Sequence, residues 1–142
     1  MKKLYTFSSL LIFLLFFAGC SKDFLKAYEK RIIGTWKITD INRFGIGSSD
    51  NLPFPENGVF IFSQDGELVY TYAGSNYKGT WDIRKEYRND DQLRSLHITA
   101  IDFTNQDVRS EFFNEVIFTG TDHFKAFIYS GTKTYSYHFS RQ

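Results

Sequence analysis

Three histidines, His97, His123 and His138, are the side chains most able to bind a metal or transfer a proton near neutral pH. No two of them have a spacing that places them side by side on one strand. In the strand pattern below, His123 and His138 fall on the outer face of a hairpin, and His97 alternates with Ser95 and Thr99 on a polar face. We therefore expect surface imidazoles and no metal or catalytic site.

The carboxylates give no acid–base pair. Glu111 and Glu115 share a face of one expected strand, but four residues at ~3.4 Å each separate their backbones by about 13–14 Å. Glycosidase carboxyl pairs lie within about 10 Å of each other. With Arg109 on the same face, these residues are expected to form a solvated charged stripe. Asp40 and Asp102 are expected to point inward without a His partner, so no enzyme signature remains.

The N-terminus carries the most specific signal. Lys2 and Lys3 precede an apolar run that is too short to span a bilayer, which needs about 20 residues, and small residues follow it, as in a secretory signal peptide. The ending Phe17-Ala18-Gly19-Cys20 resembles the lipobox of bacterial lipoproteins, in which the Cys receives a diacylglycerol and the chain is cut before it. An ordinary signal peptide with an unmodified Cys20 is the alternative.

The lipobox resemblance implies a signal peptide at 1–19 and a lipidated Cys20. We expect a tether with a short helix at 20–31 and one domain at 32–142. Cys20 is the only cysteine, so the domain has no internal disulfide. Ser21 after the cysteine is typical of outer-membrane sorting, and Lys22-Asp23 resembles a tract that directs some lipoproteins to the cell surface. We expect a membrane-anchored protein of the cell envelope, at the outer membrane, facing either the periplasm or the surface.

Removing 19 of the 142 residues leaves 123, enough for one domain. It also removes two of the 17 basic residues against 16 acidic ones, which leaves a formal net charge of −1. No Lys/Arg stripe appears, so nucleic-acid binding has no support. The chain has 16 Phe, 9 Tyr and 2 Trp, a composition that favours β structure.

Turn signals divide the domain into eight expected strands. These cover Gly34–Asn42, Val59–Ser63, Glu67–Ala73, Tyr77–Arg84, Leu93–Phe103, Val108–Phe118, His123–Ser130 and Thr134–Ser140. A long loop over Phe44–Asn57 and a charged loop over Lys85–Asp91 interrupt the series, and Asp23–Arg31 is the only expected helical segment. Short connections without crossover helices predict an all-β fold, an eight-stranded antiparallel up-and-down barrel. An open β-sandwich is the alternative.

The last hairpin supports this arrangement through its alternation. Tyr135, Tyr137 and Phe139 share one face. Pairing them with Phe124, Ala126 and Ile128 gives one apolar face and one polar face. We expect the apolar face to point into the barrel.

The domain resembles a lipocalin over Ile32 to Arg141. Gly34-Thr35-Trp36 at the start of the first strand matches the family's Gly-x-Trp motif, whose Trp closes one end of the barrel. Thr121-Asp122-His123 stands where the family has Thr-Asp-Tyr, with His123 in place of the Tyr. The resemblance also implies that Arg141 packs over Trp36. The compact lipocalin-like domains of bacterial lipoproteins are more similar than the longer, disulfide-bonded secreted ones.

Small-molecule binding is the function class that this resemblance favours, with no cofactor and no catalysis. An eight-stranded barrel is either filled by side chains or holds one small ligand. The expected ligand-binding residues are inward aromatics: Phe60, Phe62, Tyr70, Tyr72, Trp81, Phe112, Tyr135 and Tyr137. Leu52 and Phe54 would lie over the mouth as a lid. The expected ligand is apolar or amphipathic, and the alternative is a non-catalytic interaction module for another envelope protein.

Overall fold

The structure, a computed structural model, describes residues 27–47 and 51–142. Cys20 and the rest of the expected signal peptide and tether up to residue 26 lie outside the described residues. Within those ranges the chain forms one short helix and nine strands. These are α1 (Tyr28–Arg31), β1 (Gly34–Gly45), β2 (Val59–Phe62), β3 (Glu67–Tyr72), β4 (Ser75–Arg88), β5 (Asp91–Asp102), β6 (Asp107–Phe113), β7 (Glu115–Phe118), β8 (His123–Ser130) and β9 (Lys133–Arg141).

The nine strands form one antiparallel sheet in the order β6-β5-β4-β3-β2-β1-β9-β8-β7. The all-β class is confirmed, but the closed barrel is wrong, since no ladder joins β6 to β7 or β8 in the described part of the chain. The two ends of the sheet meet by packing: Cα atoms of β5 and β7 approach within 8 Å.

Asn114 explains why nine strands replace the expected eight. The predicted strand over Val108–Phe118 breaks there, because the N–H of Asn114 donates to the carbonyl of Phe127 on β8 at 2.8 Å. Residues before Asn114 pair with β5 and residues after it pair with β8. The chain thus changes partners at one residue, which leaves the sheet open between β6 and β7.

The expected charged loop over Lys85–Asp91 is also wrong. β4 runs to Arg88 and pairs with β5 up to the pair Arg88 and Asp91. Asn89 and Asp90 both have positive φ, 49° and 68°, as a two-residue hairpin turn requires. This part of the hairpin is exposed on both faces, so both faces carry charged residues. A run of charged residues without alternation is typical of a loop, and the sequence therefore indicated one.

The pairing of the last hairpin is confirmed. Phe124 faces Phe139, Ala126 faces Tyr137 and Ile128 faces Tyr135. Inside the sheet the aromatic rings contact one another: Phe124 stacks on Phe139 with ring centroids 4.2 Å apart. Such contacts continue along the interior and bury most of the large side chains.

Trp36 fixes one end of the sheet, which we call the closed end. Its ring is fully buried, and its indole N–H donates to the carbonyl of Ile32 at 2.6 Å. The Arg141 guanidinium lies 4.2 Å from the Trp36 ring centroid. Arg141 also donates to the carbonyls of Ile33 at 3.0 Å and Arg31 at 2.8 Å. One side chain thus joins the end of β9 to the start of β1.

Thr121 and Asp122 also contact Arg141 at the closed end. The carbonyl of Thr121 accepts from Arg141 Nε at 3.3 Å, and the Asp122 carboxylate lies 3.6 Å from the same nitrogen. Gly34 lies against the guanidinium: it has φ +127°, and a Cβ there would be 2.5 Å from Arg141 Nη1. Only glycine adopts this backbone conformation without strain.

We expect Gly34→Ala to lower the free energy of unfolding by about 2 kcal/mol or more, because it strains the backbone and displaces Arg141. Gly120→Ala is the matched control, since Gly120 has φ +82° with no atom within 4 Å of the added Cβ. That variant should lose only about 1 kcal/mol. Urea unfolding measures the free energy of unfolding of both variants. Equal decreases in the two variants would contradict the packing of Arg141 on Gly34.

Candidate functional site

The candidate site is a cleft at the end of the sheet opposite Trp36, which we call the mouth. Its volume is about 580 Å³. Its walls combine aliphatic, aromatic and charged side chains, and the lining residues are Ile41, Arg43, Asn51, Leu52, Pro55, Glu56, Asn57, Tyr72 and Tyr135. We call this the mouth cleft.

Unequal strand lengths create the mouth cleft. β1 pairs with β2 only over Gly34–Lys37, whereas it pairs with β9 as far as Gly45. β1 and β9 therefore extend past β2, and the chain entering β2 lies against the overhang. Ile41 and Arg43 are paired with Tyr137 and Tyr135 on β9, so their side chains share the inner face of the sheet.

The segment 51–57 that forms the opposite wall is anchored by Phe54. The Phe54 side chain is fully buried, with ring centroids 5.3 Å from Phe60 and 5.0 Å from Tyr70. Leu52 is half-buried and packs against the core. The two residues expected to form a lid thus differ, because Phe54 fills the interior and only Leu52 lines the cleft.

Polar contacts hold the same segment from both sides. Arg109 donates to the carbonyl of Pro53 at 3.0 Å. Asn57 N–H donates to the Ile38 carbonyl at 2.9 Å, and the Glu56 carboxylate accepts from the N–H of Ile41 at 3.2 Å. These contacts make the segment a fixed wall.

Arg109 points inward, which corrects the expected solvated stripe. Its guanidinium lies 4.8 Å from the Tyr77 ring centroid and donates to the Asp107 carboxylate at 3.0 Å. The hydrogen bond from the Tyr77 hydroxyl, followed by that from Arg109, holds the pKa of Asp107 below its usual value. Arg109 therefore connects β6 and the Tyr77 ring to the wall of the cleft.

Glu111 is half-buried on the same inner face, and Glu115 is not on that face. The break at Asn114 reverses the alternation, so that Val116 and Phe118 point inward on β7. The Tyr129 hydroxyl donates to Glu115 at 2.5 Å. Burial raises the pKa of Glu111.

Phe112 is the one expected binding residue that the structure places on the outer face. It is 43% exposed, whereas Phe113 is fully buried. On β6 the residues Arg109, Glu111 and Phe113 face inward, so Phe112 faces solvent. The expectation was wrong because Arg109, Glu111 and Glu115 were taken as one outward face of a continuous strand, which put Phe112 inward. The break at Asn114 removes Glu115 from that face, and Arg109 and Glu111 turn inward.

The other expected binding residues divide between cleft and core. Tyr72 and Tyr135 line the mouth cleft. The remaining five are buried core residues, namely Phe60, Phe62, Tyr70, Trp81 and Tyr137. The structure thus moves the candidate site from the interior to the mouth.

Tyr137 is a fully buried residue whose hydroxyl has no hydrogen-bond partner among the described residues. Burial, followed by the charge of Glu111, raises its pKa. Tyr137 is paired with Ile41, which lines the mouth cleft, so Tyr137 lies next to the lining of the cleft.

The histidines lie apart from one another. Asp40, which was expected to point inward, is paired with His138 and lies with it on the outer face. His97 contacts Ser110, His123 contacts Ser140 and His138 contacts Asn42, at 3.3, 2.9 and 3.4 Å respectively. Asp102 is buried and accepts from Thr104, and from Asn105 twice, so it caps a turn. Over residues 27–47 and 51–142, no group of three or more His, Cys, Asp or Glu side chains is placed to hold a metal.

Sequence reasoning missed the charged walls of the cleft, Arg43 and Glu56, and the inward position of Arg109. One signal was available: a nine-residue strand is followed by a strand of only five. Two paired strands of such unequal length leave an overhang, and the Phe44–Asn57 segment has to lie beside it.

The comparisons with known proteins add no relative. No protein-family model matches the chain, and no curated protein or solved structure matches it. The function is therefore inferred from the geometry of the cleft.

We expect Phe54→Ala to lower the free energy of unfolding by about 3–5 kcal/mol, as removal of a buried ring does. If the 51–57 segment were a loosely attached lid, this substitution would lower the free energy of unfolding far less. Leu52→Ala, in the same segment but half-buried, is the control and should lose about 1–2 kcal/mol. Urea unfolding measures the free energy of unfolding of both variants. A smaller decrease in Phe54→Ala than in Leu52→Ala would show that Phe54 does not anchor the segment.

Tyr137→Phe should raise the free energy of unfolding by about 1 kcal/mol, because it removes a buried hydroxyl without a partner. Tyr77→Phe is the control, since the Tyr77 hydroxyl donates to Asp107 at 2.8 Å, and this variant should be destabilised. A marked loss of stability in Tyr137→Phe would reveal a partner for that hydroxyl.

Proposed function

We propose that the chain is a lipid-anchored binding protein of the bacterial cell envelope, whose mouth cleft holds a small amphipathic molecule. Binding without catalysis and without a cofactor is proposed. Cys20 would carry the anchor, and its lipobox-like surroundings support this part of the proposal. In the part of the chain that the structure describes, no helix is long and apolar enough to cross a membrane.

The composition of the mouth cleft is the observation that carries the proposal. Its volume of about 580 Å³ is in the range of small-molecule sites, about 300–1,000 Å³. Leu52, Tyr72 and Tyr135 offer apolar surface, while Arg43 and Glu56 offer one positive and one negative group at the rim. Such a lining suits a ligand with an apolar body and a polar end.

The lipocalin-like identity belongs to the same proposal, as an open-sheet variant of that barrel. Its support is the closed end, where Trp36 is buried beneath Arg141 and Gly34 permits their approach. The antiparallel order of consecutive strands is compatible with it.

The length of β1 separates the mouth from α1. α1 lies next to the start of β1, and the mouth lies at its end, 12 residues later. At about 3.3 Å per residue, the two ends are separated by roughly 35 Å. The mouth therefore lies at the far end of β1 from α1.

An interaction module is the second candidate, and two exposed side chains favour it. Phe44 is 60% exposed and Ile46 is 86% exposed, both at the rim of the mouth. Exposed apolar residues grouped at one end are typical of contact surfaces between proteins. A protein partner could therefore cover the same end of the molecule.

Native mass spectrometry of the full chain, purified in mild detergent from its own host, tests the proposal. We expect a reproducible small-molecule mass that disappears on denaturation. Leu52→Glu places a charge in the cleft and should lower its occupancy at least about tenfold.

Ile117→Glu is the matched control, because Ile117 is 39% exposed on β7 and does not line the cleft. It should retain the ligand mass. A chain that carries no such mass, or a mass equally retained in Leu52→Glu, would contradict the proposal and favour the interaction module.

A further inference from the structure

The overhang of β1 leaves part of a strand with one neighbour. β9 pairs with β1 from Trp36 to Gly45. β2 pairs only with Gly34–Lys37 on the other side. Within the described residues, no strand pairs with Ile41–Gly45 on the side that faces the mouth cleft.

Main-chain groups of the overhang point towards the cleft wall. The N–H and the C=O of Ile38 bond to Gly58 and Asn57, and the N–H of Ile41 bonds to the Glu56 side chain. These three groups therefore point away from β9. Because alternate residues of a strand direct their main-chain groups to the same side, the N–H and C=O of Arg43 face the cleft as well.

A β-bulge in β1 determines to which side the main-chain groups of Ile41 and Arg43 point. The register between β1 and β9 shifts between Ile38 and Asp40. Without that extra residue, the groups of Ile41 would face β9. Glu56 satisfies the first donor after the bulge by its side chain, because the main chain of the 51–57 segment has already diverged from β1.

We propose that the mouth cleft takes an extended peptide, which adds a strand to β1 along Ile41–Gly45. This inference rests on the mouth cleft being the binding site, and it names the ligand class. Glu56 already binds the N–H of Ile41, so the groups left without a strand partner in the described residues are the C=O of Ile41 and the main-chain groups of Arg43. Such donors and acceptors on a strand are recognised by another extended backbone. The overhang of five residues is about 14 Å long, which matches a peptide of four or five residues.

The side chains of the cleft define which peptide fits. A peptide strand directs alternate side chains to the inner face, where Leu52, Tyr72 and Tyr135 present apolar surface. The intervening side chains face solvent. The peptide therefore has apolar residues at alternate positions.

The test uses acetyl-Thr-Phe-Thr-Leu-Thr-amide with a fluorescent label, added to the full chain in detergent micelles, with empty micelles as the blank. The control peptide has the same side chains but N-methylated amides at alternate positions, which cannot form a ladder. Fluorescence anisotropy should give a Kd at least about tenfold lower for the first peptide.

A pair of variants tests the same point on the protein. Arg43→Ala keeps the N–H of residue 43 and removes the side chain. Arg43→Pro removes both, and proline is tolerated at a strand edge. We expect Arg43→Pro to bind the peptide at least about tenfold more weakly than Arg43→Ala does.

Equal affinities for the two peptides, or for the two variants, would overturn the inference. No peptide binding by a chain from which a co-purified, non-peptide molecule has been removed by unfolding and refolding would also overturn it, while the proposed function would stand. No peptide binding by a chain that carries no small molecule would overturn both.

Discussion

The ladder between β1 and β9 is the interaction on which the rest of the structure depends. In the described residues, it is the only backbone pairing that joins β2–β6 to β7–β9. Arg141 fastens one end of it by contacts with Trp36 and with the carbonyls that precede β1. The other end runs beyond β2 and forms one wall of the mouth cleft. The packing of Arg141 on Trp36 and the candidate site thus lie at opposite ends of one strand pair.

The filled interior explains why the site lies at the mouth. Aromatic rings occupy the space that an enclosed ligand would need, and Phe54 enters it from the wall of the cleft. Phe60 and Tyr70 contact that ring and continue the packing inward. In the described residues, the mouth cleft lies above these rings, where β1 overhangs β2, and leaves room for a ligand there. The residues that stabilise the fold and the residues of the candidate binding site then lie on different parts of the same inner face of the sheet.

Local patterns predicted most of the strands but not the places where the alternation changes. The last hairpin was predictable because β9 alternates strictly between apolar and polar residues, and Phe124, Ala126 and Ile128 of β8 fall opposite its apolar side. Asn114 could not be recognised as a break, since the hydrogen bond that moves the chain to β8 is made with a distant residue. Phe112 was consequently assigned inward, and the inward position of Arg109 was missed. Closure of the sheet and the size of the cleft depend on such long-range contacts.

Hydrogen exchange along β1 tests most directly whether the mouth cleft is the binding site. The full chain would be compared as extracted in mild detergent and after its bound molecules are removed by unfolding and refolding. We expect exchange at Ile41–Gly45 and 51–57 to become at least about tenfold faster after removal, because the ligand no longer protects these amides. Exchange at Trp36 and Arg141 should stay unchanged. Identical exchange at the mouth in the two preparations would contradict binding in the mouth cleft.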